Sequence, residues 1–132
     1  MSDKLTLEEA QECLMVAAKN GDAETVAEML AVRGIDVNKT DVNGATPLHA
    51  AVDRGYPEIV KLLLAVRGID VNKVYSGWAP LHAAADSGYT EIVKLLLAVR
   101  GIDVNKADNN GRTPLRAADN PEIIELLKVA EV

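Results

Sequence analysis

The chain has 132 residues, a length typical of one domain, and 48% of them are hydrophobic although Phe is absent. Its formal net charge of −6 disfavours nucleic acid and anionic membranes as partners, because both attract basic patches. One cysteine cannot form an internal disulfide, and no apolar run has signal-peptide or membrane-spanning character. We therefore expect a soluble, monomeric, cytoplasmic domain.

The first predicted elements are two helices in "LMVAAKNGDAETVAEMLAVRGIDVN", and the same pattern then returns along the chain. The repeated pieces are "GIDVN" at Gly34, Gly68 and Gly101, and "PLHAA" or "PLRAA" at Pro47, Pro80 and Pro114. This spacing predicts one domain over 1–132, built from four units near 5–38, 39–72, 73–105 and 106–132.

Each unit carries its own start and stop residues for two helices. A Thr-Pro or Ala-Pro pair begins the first helix, with Pro at the first helical position. Glycines end it at Gly21, Gly55 and Gly88. The second helix has apolar residues at helical spacing, which in the second unit are Ile59, Leu62, Leu63 and Val66. Because one unit cannot bury this stripe alone, the units are predicted to stack.

The unit resembles the ankyrin repeat, whose pattern D-x-x-G-x-T-P-L-H is met from Asp41 to His49. The pattern G-x-x-E-I-V-K-L-L-L is met at 55–64 and 88–97. The resemblance implies an all-α ankyrin-repeat solenoid of four stacked helix-turn-helix units with hairpin-like tips. It also implies that tips and the concave helix face bind another protein. His49 and His82 resemble the family histidine that bridges neighbouring backbone segments.

No residue pattern points to catalysis, a metal or a cofactor. The two histidines recur at the repeat spacing and lack a nucleophile with an orienting partner. With Cys13 they do not have the spacing of a zinc site. We therefore expect no catalytic residues, no metal and no cofactor.

Carboxylates recur at one position of the predicted first helices: Asp53, Asp86 and Asp119. Stacking would align them in a row. The row either steers a basic partner or is simply a solvated edge.

Between the two middle units, residues 58–73 are identical to residues 91–106, which cover the second helix and the segment that follows it. The differences lie before these segments, mainly in the tip and first helix. Aligned residue by residue, the differing pairs are Asp41/Val74, Val42/Tyr75, Asn43/Ser76, Ala45/Trp78, Thr46/Ala79, Val52/Ala85, Arg54/Ser87 and Pro57/Thr90. The part that varies predicts the binding surface. The predicted contact residues are Val42, Asn43, Ala45, Asp53, Arg54, Val74, Tyr75, Ser76, Trp78, Asp86, Ser87, Asn110, Arg112 and Asp119.

The second tip, "KVYSG", is one residue shorter than "KTDVNG" and precedes the only tryptophan. An exposed Trp78, helped by Tyr75, would anchor a partner, and its removal would barely change folding stability. The alternative is that both rings cover the shortened loop. Tyr56 and Tyr89 share one repeat position, which favours a structural role.

The function predicted is therefore a non-enzymatic protein-binding module. The alternative is a structural or designed repeat scaffold without a dedicated partner. The near-identity of the units fits an engineered, consensus-like chain or a recent duplication.

Overall fold

The computed structural model describes residues 5–131. Residues 1–4, part of the amino-terminal stretch in which we find no signal-peptide core, and residue 132 lie outside this range. The helices are α1 (Leu7–Asn20), α2 (Ala23–Leu30), α3 (Pro47–Arg54), α4 (Pro57–Leu64), α5 (Pro80–Ser87), α6 (Thr90–Leu97), α7 (Pro114–Ala117) and α8 (Pro121–Ala130). Within 5–131 no helix is both long and apolar enough to cross a membrane.

The predicted start and stop residues are where the helices begin and end. α3, α5 and α7 each begin with proline at the first turn. Thr46 caps α3, accepting a hydrogen bond from the backbone N–H of His49. α1 and α3 end at Gly21 and Gly55, whose φ angles of 78° and 74° lie in the left-handed region that glycine tolerates.

The helices form two layers. The first helices α1, α3, α5 and α7 pack side by side, and the second helices α2, α4, α6 and α8 do the same behind them. Leu48 and Leu81 from the first layer meet Leu63 and Leu96 from the second in one continuous core, and all four are at most 1% exposed. This is the stacked all-α repeat architecture expected from the sequence.

The buried face of a second helix is displaced from the predicted stripe. In α4 it consists of Ile59, Val60 and Leu63, while Leu62 is only partly buried. Val66 lies beyond the helix end. The difference arises because a middle helix is packed between two neighbours as well as against its own first helix.

Hydrogen bonds between asparagine side chains and backbone groups join consecutive units in the segments that follow the second helices. Asn38 accepts from the N–H of Asp70 and donates to the carbonyl of Gly68. Asn72 repeats both bonds one unit later. Because these asparagines belong to the identical "GIDVN" segments, their recurrence has a structural cause.

Candidate partner-binding groove

Three tips precede the first helices of the second, third and fourth units: tip 1 (41–45), tip 2 (75–78) and tip 3 (108–112). In tip 1 the carboxylate of Asp41 accepts hydrogen bonds from the backbone N–H groups of Asn43 and Ala45. The N–H of Asp41 donates to the carbonyl of Ala45. Asp108 organises tip 3 through the same pattern. An aspartate at the start of the tip therefore holds each three-residue loop.

Tip 2 closes differently because it has no such aspartate. Tyr75 and Trp78 exchange both backbone hydrogen bonds, at 2.9 and 3.0 Å. Ser76 and Gly77 between them have φ angles of 54° and 84°, the positive pair that a two-residue hairpin turn requires. The missing residue thus marks a change of turn type.

This geometry corrects the alignment made from the sequence. Tyr75 takes the hydrogen-bonding place of Asp41, not of Val42, and Trp78 takes that of Ala45. The pairing of Asp41 with Val74 was wrong because the residue is lost inside the turn, after the position of Asp41.

His49 and His82 join one unit to the next, and their predicted structural role is confirmed. Nδ1 of His49 accepts the N–H of Thr46, so the ring proton lies on Nε2, which donates to the carbonyl of Lys73 at 2.7 Å. His82 makes the matching bonds to Ala79 and Arg112. Burial lowers the pKa of His49, in keeping with a neutral ring.

We expect His82→Gln to lower the free energy of unfolding by about 1–3 kcal/mol, because a fully buried bridging donor is lost or misplaced. Urea unfolding would measure the change, with Asp86→Gln on the exposed side of the same helix as the control. A large loss of partner affinity at unchanged stability would instead place His82 in the binding surface.

Trp78 is not the freely exposed ring that the sequence suggested. Its side chain is partly buried, and its indole N–H donates to the carboxylate of Asp108 at 3.1 Å. The indole also stacks on His82, with ring centroids 6.3 Å apart. Tyr75 similarly faces His49, at 5.4 Å. The rings therefore cover the shortened tip and its junction with tip 3, which supports the alternative that the sequence left open.

Asp108 accepts the hydrogen bond that connects tip 2 to tip 3. Besides the indole N–H, it accepts from the side chain of Arg112 at 3.2 Å and from two backbone N–H groups of its own tip. The Arg112 N–H is the chief cause that lowers the pKa of Asp108 to about 2, and burial opposes it. The ionised carboxylate is therefore the form that the fold stabilises.

This lowered pKa predicts an acid-sensitive contribution to stability. The carboxyl titrates at its ordinary value of 3.8 in the unfolded chain and at about 2 in the folded one. Its stabilising contribution is thus complete above the unfolded value and is lost as pH falls through the folded one. We expect the stability difference between wild type and Asp108→Asn to shrink from pH 5 to pH 2 in urea unfolding measurements, whereas a constant difference would contradict this assignment.

The structure distributes the predicted contact residues over three levels of exposure. Exposed are Val42, Asn43, Asp53, Arg54, Val74, Ser76, Asp86, Ser87, Asn110 and Asp119, while Tyr75, Trp78 and Arg112 are partly buried. Ala45 is 7% exposed. This burial leaves Ala45 little surface for a partner, because it lies at the base of tip 1, where its N–H and carbonyl both bond to Asp41.

The predicted acidic row is interrupted at its third member. Asp53 and Asp86 lie on the last turns of α3 and α5, at matching positions. Asp119 lies beyond the end of α7, because that helix has only four residues and the chain turns directly into α8, which Asn120 caps. The truncated unit therefore does not continue the row along a helix.

Two clefts open between a first helix and the tip that follows it, and we call this strip the inner groove. The larger cleft, about 410 Å³, is bounded by α1 and the segment leading into α3. Its lining residues are Glu8, Gln11, Glu12, Met15, Val16, Lys39, Thr40, Asp41 and Pro47. The smaller cleft, about 130 Å³, is lined by His49, Asp53, Tyr75, Ser76, Trp78 and Ala83.

Sequence reasoning missed most of the larger cleft. The comparison that selected contact residues used only the two middle units, so it could not reach α1. Glu8 and Glu12 are four residues apart, and Met15 stands where later units have histidine, and together these features could have indicated an acidic and apolar surface.

The charges of the groove are set by a few local contacts. Lys19 pairs with Asp41 at 3.3 Å, linking α1 to tip 1. Burial opposes a lowering of the Asp41 pKa, but the backbone N–H groups of tip 1 and the Lys19 ammonium outweigh it. Desolvation raises the pKa of Asp53 in the smaller cleft, and the nearby Arg54 guanidinium partly offsets this. Among residues 5–131, no group of three or more His, Cys, Asp and Glu is placed to hold a metal ion.

A family model described as ankyrin repeats in three copies matches residues 2–75 and 71–131, which together cover almost the whole chain. The chain belongs to the ankyrin-repeat family. A comparison with curated proteins returned no match. Ankyrin repeats are in general protein–protein interaction modules, and the fold described above is an ankyrin solenoid.

Proposed function

We propose that this ankyrin domain is a non-enzymatic module that binds a protein partner along the inner groove and the tips. The observation that carries the proposal is the separation of identical from differing residues between the two middle units. The identical segments, 58–73 and 91–106, supply the buried leucines and take part in the asparagine bonds between units. The differing residues lie in the tips, the first helices and the first residue of each second helix, and the exposed ones among them are Val42, Asn43, Arg54, Val74, Ser76 and Ser87. The pairs Thr46/Ala79 and Val52/Ala85 are buried and belong to the stack.

The shape and exposure of the groove support this proposal. Both clefts lie between first helices and tips. Val42 projects fully from tip 1, and Val16 is 55% exposed beside the larger cleft. Exposed apolar groups next to carboxylates provide both the buried anchor and the polar rim of an interface. The stacked scaffold also holds these groups in place, which reduces the ordering cost of binding.

A scaffold without a dedicated partner is the second candidate, and one observation favours it. Trp78 and Tyr75 have contacts within the chain, with Asp108 and the two histidines. Their presence therefore has a structural explanation that needs no partner.

Affinity capture with two matched double variants separates the candidates. Glu12→Lys with Val16→Trp alters two exposed residues of α1 that line the larger cleft of the groove. Glu125→Lys with Ala98→Trp introduces the same new side chains at exposed positions of the second-helix layer. Such surface changes should each alter folding stability by no more than about 0.5 kcal/mol.

We expect proteins captured from cytoplasmic extract by the wild type to be retained by the second-helix variant and lost from the groove variant. Quantitative mass spectrometry of the three captures would show this. Equal capture by all three proteins, or no reproducible capture by the wild type, would contradict the proposal and leave the scaffold candidate.

A further inference from the structure

We propose that the smaller cleft receives a basic side chain, lysine or arginine, from the bound partner. This inference rests on the proposed function and adds the chemistry of one contact. Tyr75 and Trp78 line the cleft together with the carboxylate of Asp53. Aromatic rings and a carboxylate around one opening are the surroundings that a cation prefers over a neutral group.

None of the residues that line the cleft brings a competing positive charge into it. His49, which also lines it, uses Nδ1 as an acceptor and Nε2 as a donor to backbone groups, so its ring is neutral. The indole N–H of Trp78 is occupied by Asp108 on the far side of the tip. Neither residue therefore offers a free N–H donor to an occupant of the cleft.

The size of the cleft suits a side-chain head. Its volume of about 130 Å³ exceeds the roughly 30 Å³ that one water molecule takes up in the liquid. The carboxylate of Asp53 is partly desolvated there, which strengthens its attraction for a cation. The whole chain carries a formal charge of −6, so approach of a basic segment is favoured as well.

The next unit lacks this combination and provides an internal comparison. Asp86 holds the position of Asp53 on α5, but tip 3 has Asp108 and Arg112 where tip 2 has Tyr75 and Trp78. The guanidinium of Arg112 brings a positive charge to tip 3, which makes that place less suited to a cation. Asp53 and Asp86 therefore form a matched pair, of which Asp53 lines the smaller cleft and Asp86 does not.

The test uses three small probes: the N-acetyl methylamides of lysine, arginine and norleucine, the last being a neutral analogue of lysine. Because Trp78 is the only tryptophan, its fluorescence reports binding directly, and the indole N–H resonance provides a second readout. We expect saturable changes with the two basic probes, in the millimolar range, and none with norleucine. Asp53→Asn should weaken binding by about fivefold or more, and by clearly more than Asp86→Asn does.

Equal response to lysine and norleucine probes, no saturable response up to the solubility of the probes, or equal losses in the two asparagine variants would overturn the inference. These outcomes are distinct from failure of the proposed function. If the probes do not bind but groove variants still lose captured proteins, the cleft assignment alone is wrong. If nothing is captured in any form of the domain, the proposed function fails whatever the probes do.

Discussion

Leu63→Ala should lower the free energy of unfolding by about 2–5 kcal/mol, the largest effect that we expect from a single change in this domain. Leu63 is 0% exposed and lies in α4, which packs against α2, α6 and its own first helix. The truncation would leave a cavity that the flanking units cannot fill without shifting. Leu96→Ala, at the same position of α6, should behave alike because that residue is equally buried.

Equilibrium urea unfolding, followed by circular dichroism, would measure both changes. Leu62→Ala is the matched control, since it removes the same atoms from a partly buried neighbour on the same helix and should cost clearly less. If Leu63→Ala costs under about 0.5 kcal/mol, as an ordinary surface substitution does, the packing described for the second helices is incorrect.

Trp78→Ala should cost about 2 kcal/mol of stability, in contrast to the small effect that the sequence suggested. The substitution removes a partly buried ring from between His82 and tip 3, together with the donor that Asp108 accepts. Trp78→Phe keeps a ring but not the N–H, so an intermediate loss is expected. In a double-mutant cycle with Asp108→Asn, the two changes should be non-additive because the residues share one hydrogen bond.

The fluorescence of the free protein provides an independent check on Trp78. A partly buried indole should be shielded from iodide relative to the unfolded chain in urea. If free Trp78 is quenched as strongly as in the unfolded chain, and Trp78→Ala leaves stability unchanged within about 0.5 kcal/mol, the ring is exposed after all. The original expectation of a solvent-facing anchor would then be restored.

The fold was predictable because its determinants are local and recur. Proline at helix starts, glycine at helix ends and leucines at helical spacing each act within a few residues. The repeated pattern then predicted that the units stack, because one unit alone cannot bury the apolar stripe of its second helix. Even the bridging histidines could be recognised, because their partners lie at a fixed distance along the repeat.

The environment of tip 2 could not be predicted in the same way, because its contacts depend on the change of turn. The alignment already places Trp78 opposite Ala45, but it does not show that the indole N–H reaches Asp108, thirty residues onward. Comparison of the repeat sequences shows that tip 2 differs from the other tips, but it does not show which groups Tyr75 and Trp78 contact. The larger cleft likewise depends on the contact between α1 and the segment before α3. A comparison of the two middle units does not include α1 and therefore could not predict this cleft.

Site-specific photo-cross-linking is the measurement that tests the central claim, binding along the inner groove, most directly. A photoreactive phenylalanine analogue would replace one of three exposed valines in turn: Val16 on α1, Val42 in tip 1 and Val129 on α8. The account predicts that the same partner is cross-linked from Val16 and Val42 and not from Val129. Cross-links from Val129 with none from the other two positions would contradict it, because they would place the interface on the second-helix layer.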